Sequence, residues 1–264
     1  MASLFAPMLA WAASLRRMRE AAASPPCVPD GFVLYAIGDV HGERALLDGL
    51  LNDILEDARR QEGLSPVAVF LGDYVDRGPD SRGVIERLLD DPLPGFTVRF
   101  LKGNHEEAML GFIDNPAASM DWLRFGGAET LGSYGVRASV AVADAGRCRV
   151  LRDLLGTRLP DDHLDFLRRL EHWAVYGDYA FVHAGIRPHR TLEDQDPRDL
   201  LWIRTPFLDS GARHEKVIVH GHTIVDSPEV RHNRIGIDTG AYATGRLTAV
   251  VLVGQSVRFL QRWT

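Results

Sequence analysis

Cysteine is scarce in this sequence. Only Cys27 and Cys148 occur among its 264 residues. Two thiols so far apart provide neither a disulfide framework nor the paired spacing of a structural zinc site. We expect both to be free thiols, as is usual in a reducing cytosol, and we therefore predict a cytoplasmic protein.

Long apolar runs are also missing. Residues 1–15 are mostly apolar, but about 20 such residues are needed to cross a bilayer. Arginines follow this run, whereas in a secretory signal peptide the positive charge precedes the apolar core. We predict no integral membrane segment. Residues 1–30 are interpreted as an N-terminal extension and linker, with a packed helix or a disordered tail favoured over a membrane contact.

Positive charge is not in excess. The 30 Lys and Arg residues and 36 Asp and Glu residues give a net charge of −6, whereas nucleic-acid binding usually shows a clustered basic face. We predict no nucleic-acid partner. An anionic substrate is still compatible with this charge, because bound dications can supply local positive charge.

Three short polar blocks stand out in the first half of the chain. Each follows a short apolar run typical of a buried strand, so each is predicted on the loop at a strand's carboxyl end. Amphipathic stretches at residues 44–59 and 81–89 predict helices between them. Ligands of open α/β sheets bind beyond such strand ends. The blocks are Gly38-Asp39-Val40-His41-Gly42, Gly72-Asp73-Tyr74-Val75-Asp76-Arg77-Gly78 and Gly103-Asn104-His105-Glu106.

The second half of the chain is predicted to be rich in strands. The Gly177-Asp178 turn is its strongest hairpin signal. Because helices dominate the first half and strands the second, two packed sheets with helices outside fit better than one doubly wound sheet. The predicted strands of this half lie within residues 173–182, 217–219, 230–237 and 247–260.

We predict a single domain over residues 31–264, with a cap-like insert at about residues 115–170. Four glycines and three aromatic residues within positions 122–135 indicate a loop packed over another part of the domain rather than a core helix. The later part of the insert is predicted to be helical, with interruptions at Gly156 and Pro160.

Six side chains on these loops and on two later loops offer carboxylate, imidazole and amide groups without a thiolate. This set suits Mn, Fe, Zn or Mg rather than a structural zinc. Two metals about 3.5–4 Å apart need a bridging ligand, and Asp73, central in the strongest block, is the natural bridge. The six candidate ligands are Asp39, His41, Asp73, Asn104, His183 and His222.

Three further residues of the blocks suit phosphate chemistry. Arg77 has a planar fork that fits phosphate oxygens in bidentate fashion. His105, next to a candidate ligand, is placed to protonate a leaving group, and Asp76 is a plausible partner that orients its imidazole.

One such loop alone would be better explained as structure, since a lone buried histidine is usually a satisfied core group. Three loops with matching chemistry on successive strands, followed by two histidine-bearing loops, make a shared site the better interpretation. His220 is left out of the ligand set. The other histidines are interpreted as surface or structural residues: His163, His172, His189, His214 and His232.

The three blocks resemble, in order and spacing, the signature of the phosphoprotein phosphatase family of metallophosphoesterases. The resemblance covers residues 33–252 approximately and implies an α/β (α+β) fold of four layers, αββα, with a central β-sandwich flanked by helices. Later segments resemble motifs of its bacterial and bacteriophage lambda-type serine/threonine phosphatase branch: Val182-His183-Ala184-Gly185, Gly221-His222-Thr223 and Ile237-Asp238-Thr239-Gly240-Ala241.

The resemblance also implies residue roles. His105 with Asp76 would be the proton donor pair, and Arg77 would bind phosphate. A second phosphate-binding arginine is expected to be Arg204, with Arg187 as the alternative. The cofactors would be two divalent ions, Mn²⁺ foremost, with Fe, Zn or Mg as alternatives. Asp39, His41 and Asp73 would hold the first ion, and Asp73, Asn104, His183 and His222 the second.

The sequence therefore predicts a serine/threonine protein phosphatase acting on phosphorylated proteins or peptides. A hydroxide bridging the two metals would attack phosphorus in line, without a covalent phosphoenzyme. One alternative is a diadenosine tetraphosphate hydrolase, which resembles this family in metal site and fold. An alternative of another class is a phosphoprotein-binding module without catalysis, which would normally require damaged ligands, and none is missing.

Overall fold

The computed structural model describes residues 25–138 and 144–264. The predictions for residues 1–24 and 139–143 lie outside this part of the chain. In the described residues, the strands form two sheets of five strands each. The strands are β1 (Phe32–Ile37), β2 (Ser65–Phe70), β3 (Thr97–Phe100), β4 (Trp173–Tyr176), β5 (Tyr179–Val182), β6 (Val217–His220), β7 (Glu229–Val230), β8 (Arg234–Gly236), β9 (Arg246–Val253) and β10 (Ser256–Trp263).

Both sheets are mixed. The first has the order β10-β9-β1-β2-β3, with β1, β2 and β3 parallel and the β9–β10 hairpin antiparallel at one edge. The second has the order β4-β5-β6-β8-β7, with β5, β6 and β8 parallel. The predicted hairpins are confirmed at β4–β5, β7–β8 and β9–β10. In each sheet, the carboxyl ends of the parallel strands come to one edge.

Alternation along β1 explains why the sheets stack. Tyr35 and Ile37 point into a core shared with the helices, whereas Leu34 and Ala36 point into a second core between the two sheets. Side chains two apart share a face of a strand, so β1 is buried on both faces. A third core with Leu200 covers the outer face of the second sheet. The predicted αββα layering is therefore confirmed.

Helices cover the first sheet. Leu46, Leu47, Leu50, Leu51 and Ile54 form a buried stripe on the first helix, which is the spacing of an amphipathic helix. Burying each such side chain contributes about 1.5–3 kcal/mol. The α-helices are α1 (Arg44–Arg59), α2 (Ser81–Leu89), α3 (Asn104–Asp114), α4 (Gly127–Ser133), α5 (Ala145–Gly156), α6 (Asp161–Arg169), α7 (Pro197–Trp202) and α8 (Ala241–Thr244), and a 3₁₀ helix spans Met120–Phe125.

The prediction of a loop between residues 122 and 135 is wrong. The segment is helical on both sides of Gly126, whose φ of 112° ends the 3₁₀ helix and leads into α4. Position 127 requires glycine because the ring of Trp122 packs directly against its backbone. An added Cβ would lie 2.5 Å from that ring. Glycine here allows two short helices to pack closely, so the four glycines of this segment do not indicate a loop.

The later part of the insert contains α5 and α6, with the break between Gly156 and Asp161 at the predicted place. These two helices pack against α2 and α3 in the helix layer. Contact with the strand-end loops comes instead from the 3₁₀ helix and α4. The assignment of residues 31–264 to one domain stays a prediction. Among the helices of the described residues, none has the length and apolarity to cross a membrane.

Candidate dinuclear metal centre

The first three polar loops are hydrogen-bonded to one another through Asp73 and Tyr74. The amides of Val40 and His41 both donate to the carbonyl of Asp73, at 3.1 and 2.8 Å, and Gly42 donates to Tyr74. The amide of His105 donates to Asp73 Oδ1 at 3.0 Å. The strand ends therefore position one another, and Asp73 lies at the centre of the arrangement.

Glu106 holds two of these loops together. It is fully buried, and its carboxylate accepts from the amides of Asp73, Tyr74 and Val75 at 2.9, 2.7 and 3.2 Å and from Gly103 at 2.8 Å. Four backbone donors satisfy a carboxylate that would otherwise be costly to bury. Glu106 thus fixes the loop that carries Asp73 against the start of α3.

Backbone strain is concentrated at this strand edge. Among the described residues, seven that are not glycine have a positive φ. Five of the seven belong to the predicted site, and left-handed backbone costs about 1–3 kcal/mol at such residues. The surrounding contacts hold them there, which is typical of functional sites. They are His41, Asp73, Asp76, Arg77 and His222.

One set of candidate ligands draws on both sheets. Asn104 Oδ1 lies 2.9 Å from His183 Nε2 and 2.8 Å from His222 Nδ1. His183 Nε2 lies 3.4 Å from Asp73 Oδ2. Ligand atoms about 2.1 Å from one ion lie roughly 2.8–3.4 Å from their neighbours. The four groups therefore have the spacing of one coordination sphere.

The other candidate set lies on the first sheet alone. His41 Nε2 is 3.5 Å from Asp73 Oδ2. His41 Nδ1 lies 2.9 Å from the carbonyl of Val75, so Nδ1 carries the proton and the Nε2 lone pair faces Asp73. Asp39 Oδ2 accepts from the amide of His222, which ties this set to the second sheet's loop. All six predicted ligands thus lie in one connected group.

The protonation states of the three histidines fit metal ions. Burial lowers the pKa of His41 to about 3 and also lowers the pKa of His183 and His222, which leaves their lone pairs free. Burial and the neighbouring Asp238 and Asp73 raise the pKa of Asp39. Asp39 Oδ1 is buried without a hydrogen-bond partner among the described residues. A cation would satisfy that oxygen, so this donor set fits two dications.

The predicted proton donor pair is in contact. His105 Nδ1 lies 2.7 Å from Asp76 Oδ2, and Asp76 also accepts from Trp122 Nε1 at 2.9 Å and Thr130 Oγ1 at 2.6 Å. Burial lowers the pKa of His105, but the carboxylates of Asp73 and Asp76 outweigh it and raise the pKa. Arg77 NH2 lies 3.1 Å from His105 Nε2. Arginine can only donate, so Nε2 accepts here.

The two candidate arginines differ in their partners. Arg187 makes a bidentate pair with the carboxylate of Asp199, at 2.6 and 2.8 Å. Arg204 donates to Thr223 Oγ1 at 3.0 Å and to the carbonyl of His222 at 3.3 Å. Arg204 is therefore held against the loop that carries the candidate ligand His222. The charge of Arg187 is instead neutralised by Asp199.

Several residues of this site were not predicted. Glu106 belongs to the third block and has no predicted role, although its position in the first turn of α3, two residues after Asn104, is a usable signal. Asp238, in a segment singled out by resemblance, is buried close enough to influence Asp39. Tyr242 lies under Arg77, 4.6 Å from its guanidinium carbon. Trp122 and Thr130 carry no sequence signal of their contact with Asp76.

The family model of calcineurin-like phosphoesterases matches residues 32–249. The chain belongs to this family. The predicted metallophosphoesterase identity is therefore confirmed, and membership of this family implies a phosphoester hydrolase that uses divalent metal ions.

Relatives of this metallophosphoesterase carry two kinds of name. Serine/threonine-protein phosphatase 2 of Escherichia coli K12 is 28% identical over 223 residues, which cover 81% of this chain and 90% of that protein. An asymmetrical bis(5′-nucleosyl)-tetraphosphatase of Oceanobacillus iheyensis is 26% identical over 236 residues, covering 81% and 86%. The chain is thus similar, to about the same degree, to a protein phosphatase and to a bis(5′-nucleosyl)-tetraphosphatase.

Solved structures share the fold. A crystal structure of a candidate diadenosine tetraphosphatase superposes with a TM-score of 0.60 at 22% identity, covering 91% of this chain and all of that one. A cold-active protein tyrosine phosphatase from Shewanella superposes with a TM-score of 0.51 at 19% identity, covering 89% and 83%. At these identities the likeness concerns architecture alone.

Proposed function

We propose that this metallophosphoesterase is a serine/threonine protein phosphatase with two divalent ions, Mn²⁺ first among them. Asp39, His41 and Asp73 would hold one ion. Asn104, His183 and His222 would hold the other, together with the bridging Asp73. When bound, the two ions supply positive charge for the phosphoryl oxygens and an acidified water for attack at phosphorus.

The side chains of the chain itself would bind and protonate the substrate. Arg77 and Arg204 would hold the phosphoryl oxygens, and charge on preorganised donors stabilises the transition state. Arg204 is preferred over Arg187 because Arg187 is already paired with Asp199. Once Arg77 turns from His105 Nε2 to phosphate, that nitrogen can carry the proton for the departing alkoxide.

The observation that carries the proposal is the contact between His105 and Asp76 beside the two ligand sets. An alkoxide of serine or threonine is a poor leaving group and needs a proton, which a buried imidazole held by a carboxylate can donate. The similarity to the Escherichia coli phosphatase, over nearly its whole length, supports a phosphoprotein substrate. A cytoplasmic location stays a prediction.

A second candidate is the hydrolysis of dinucleoside polyphosphates. It is favoured by the tetraphosphatase relative of similar identity and coverage. The exposed indole of Trp202, 45% accessible and 6.3 Å from the ring of His222, could stack with a base.

The deciding experiment compares a phosphoserine peptide with diadenosine tetraphosphate, each with added Mn²⁺. We expect release of inorganic phosphate from the peptide with a higher kcat/KM than cleavage of the dinucleotide. The reverse order would transfer the function to the second candidate. A protein that retains no divalent ion and cleaves neither compound would instead be a binding module.

A further inference from the structure

A groove beside the candidate metal centre has an unusual charge for this chain. Its volume is about 640 Å³. Four arginines and two aspartates line it, which gives two net positive charges in a protein of net charge −6. These charged residues are Arg187, Arg190, Asp196, Arg198, Asp199 and Arg204.

Both aspartates of the groove are already engaged. Asp199 binds Arg187, and Asp196 accepts from the amide of Arg198 at the start of α7. No ion pair of the described ranges 25–138 and 144–264 involves the guanidinium of Arg190 or Arg198, and both side chains are exposed. Their positive charge is therefore available to a ligand.

The groove adjoins the candidate metal centre through Arg204 and Trp202. Arg204 lines it and also donates to the carbonyl of His222. Trp202 lines it as well, and its ring lies 6.3 Å from the ring of His222. A substrate whose phosphate is at the ligand loops would therefore extend past Trp202 and Arg204 into the groove.

We propose that this arginine groove binds acidic residues that flank the phosphorylated serine or threonine, so that the enzyme prefers acidic phosphopeptides. The inference rests on the proposed protein phosphatase function. Arginine is suited to carboxylates because its fork makes two parallel hydrogen bonds. Trp202 offers an apolar face for the stem of a flanking side chain.

An acidic peptide matches the distribution of charge better than a dinucleotide does. A dinucleotide concentrates its charge in the polyphosphate, which Arg77 and Arg204 already meet, and its bases and riboses are neutral. An extended peptide can carry a negative charge at each of several successive residues. Arg190 and Arg198, which are additional to the phosphate-binding pair, then have carboxylate partners.

The test uses the Mn²⁺-loaded full-length protein and three phosphoserine peptides that differ only in acidic, neutral or basic flanks. The measured quantity is kcat/KM for each peptide. An exposed ion pair changes an equilibrium constant by up to about five-fold, and Arg190 and Arg198 can form two such pairs. We therefore expect kcat/KM for the acidic peptide to exceed that for the neutral peptide by roughly ten-fold. This preference should shrink as salt is raised, because exposed charges are screened.

The double variant Arg190→Glu/Arg198→Glu should reverse the preference towards the basic peptide. The matched control is Arg147→Glu/Arg149→Glu, two exposed arginines on α5 that line no part of the groove, and it should keep the ratio of the parent protein. Fluorescence anisotropy of labelled peptides in chelator should show the same order of affinity, since the groove arginines need no metal.

The outcomes separate the inference from the proposed function. Turnover of all three peptides at equal kcat/KM would overturn the groove's role and leave the phosphatase intact. Turnover of an aryl phosphate but of no peptide would overturn both. If charge reversal impaired cleavage of diadenosine tetraphosphate and left the peptide ratio unchanged, the groove would be a nucleotide site and the inference would be wrong.

Discussion

At the scale of single residues, the position of His105 decides which substrates need it. Its Nδ1 is held by Asp76 at 2.7 Å, and its Nε2 faces Arg77 and the ligand loops. A proton from Nε2 matters most where the leaving alkoxide is basic. General acids of this kind contribute about 10²–10⁴-fold in rate.

His105→Asn should therefore lower kcat on an alkyl phosphate by about 10²-fold or more and on an aryl phosphate much less. The ratio of the two rates, measured in one metal buffer, isolates leaving-group protonation from loss of metal. His189→Asn, at an exposed position with a φ of 65° that asparagine tolerates, is the control. Equal losses on both substrates would remove the acid role from His105.

The two arginines give a second comparison at this scale. Arg204→Ala should reduce kcat by about 10²-fold, because it removes a donor aimed at developing phosphoryl charge. Arg187→Ala should have a small effect, since Arg187 binds Asp199 instead. Steady-state kinetics of both variants on one aryl phosphate provide the measurement. A larger loss of kcat in Arg187→Ala than in Arg204→Ala would make Arg187 the second phosphate-binding arginine.

The ligand chemistry was readable from the sequence because each loop carries its own donors next to its own strand. Asp39, His41 and Asp73 need no information beyond their blocks. The hydrogen bonds from Trp122 and Thr130 to Asp76 span 46 and 54 residues of sequence. Such contacts depend on how helices pack, which no local pattern encodes.

At the scale of elements, one partly buried ion pair joins α1, β1 and β10. Asp57 accepts from Arg258 NH1 and NH2 at 2.7 and 2.5 Å and from the hydroxyl of Tyr35 at 2.7 Å. The side chain of Asp57 is only 12% exposed. Asp57→Asn should lower the free energy of unfolding by about 1–3 kcal/mol, because it leaves the donors of Arg258 and Tyr35 without a carboxylate partner.

This loss should depend on pH. Burial raises the pKa of Asp57, but hydrogen bonds from Arg258 and Tyr35 outweigh it and lower the pKa below its ordinary value. The contribution is therefore complete above the unfolded value of about 3.9 and disappears as pH falls through the lower folded pKa. The free energies of unfolding of the parent protein and of Asp57→Asn, measured with urea at pH 7 and near pH 3, should therefore differ less in acid.

Asp53→Asn is the matched control for this pair. Asp53 is on the same helix, but its side chain is 35% exposed and its contact with Arg262 is longer, at 3.6 Å. Its effect should stay within about 0–1 kcal/mol. Two results would contradict a stabilising role of the Asp57 ion pair. One is an equal loss of unfolding free energy in Asp53→Asn and Asp57→Asn, and the other is a loss in Asp57→Asn that grows in acid.

Regular elements were predicted well where one pattern dominates. The bounds of α1 and α2 follow from a leucine-rich stripe and from capping by Asp80, whose carboxylate accepts from Gly83. The assignment failed where glycine meets an aromatic ring, at Trp122 and Gly127. There the residue types typical of loops serve tight packing between two short helices.

At the scale of the whole molecule, the two candidate ion sites differ in what they connect. Asp39, His41 and Asp73 follow strands of the first sheet. His183 and His222 follow β5 and β6 of the second sheet. The ion held by Asn104 and the two later histidines would therefore join the sheets, whereas the other ion would tie loops of one sheet only. Which ion joins the two sheets depends on the order of the strands within each sheet. The sequence predicts two packed sheets but not that order.

Metal binding should consequently stabilise the fold. A ligand at 100 times its Kd adds about 2.7 kcal/mol to the free energy of unfolding, and in a chain of this size each kcal/mol raises Tm by roughly 2–4 °C. Treatment with a chelator should lower Tm by about 5–10 °C, and Mn²⁺ should restore it, as calorimetry can measure.

Variants of the ligands separate the contributions of the two candidate ion sites to the Mn²⁺-dependent rise in Tm. Asp73→Asn should abolish most of the Mn²⁺-dependent rise in Tm, because Asp73 belongs to both ligand sets. His222→Ala should reduce the rise more than His41→Ala, since only His222 lies on the sheet-joining site. Each variant is compared with its own chelated form, which cancels any direct cost of the substitution. If His41→Ala removed more of the rise than His222→Ala, the ion between the two sheets would not be the one that holds them together.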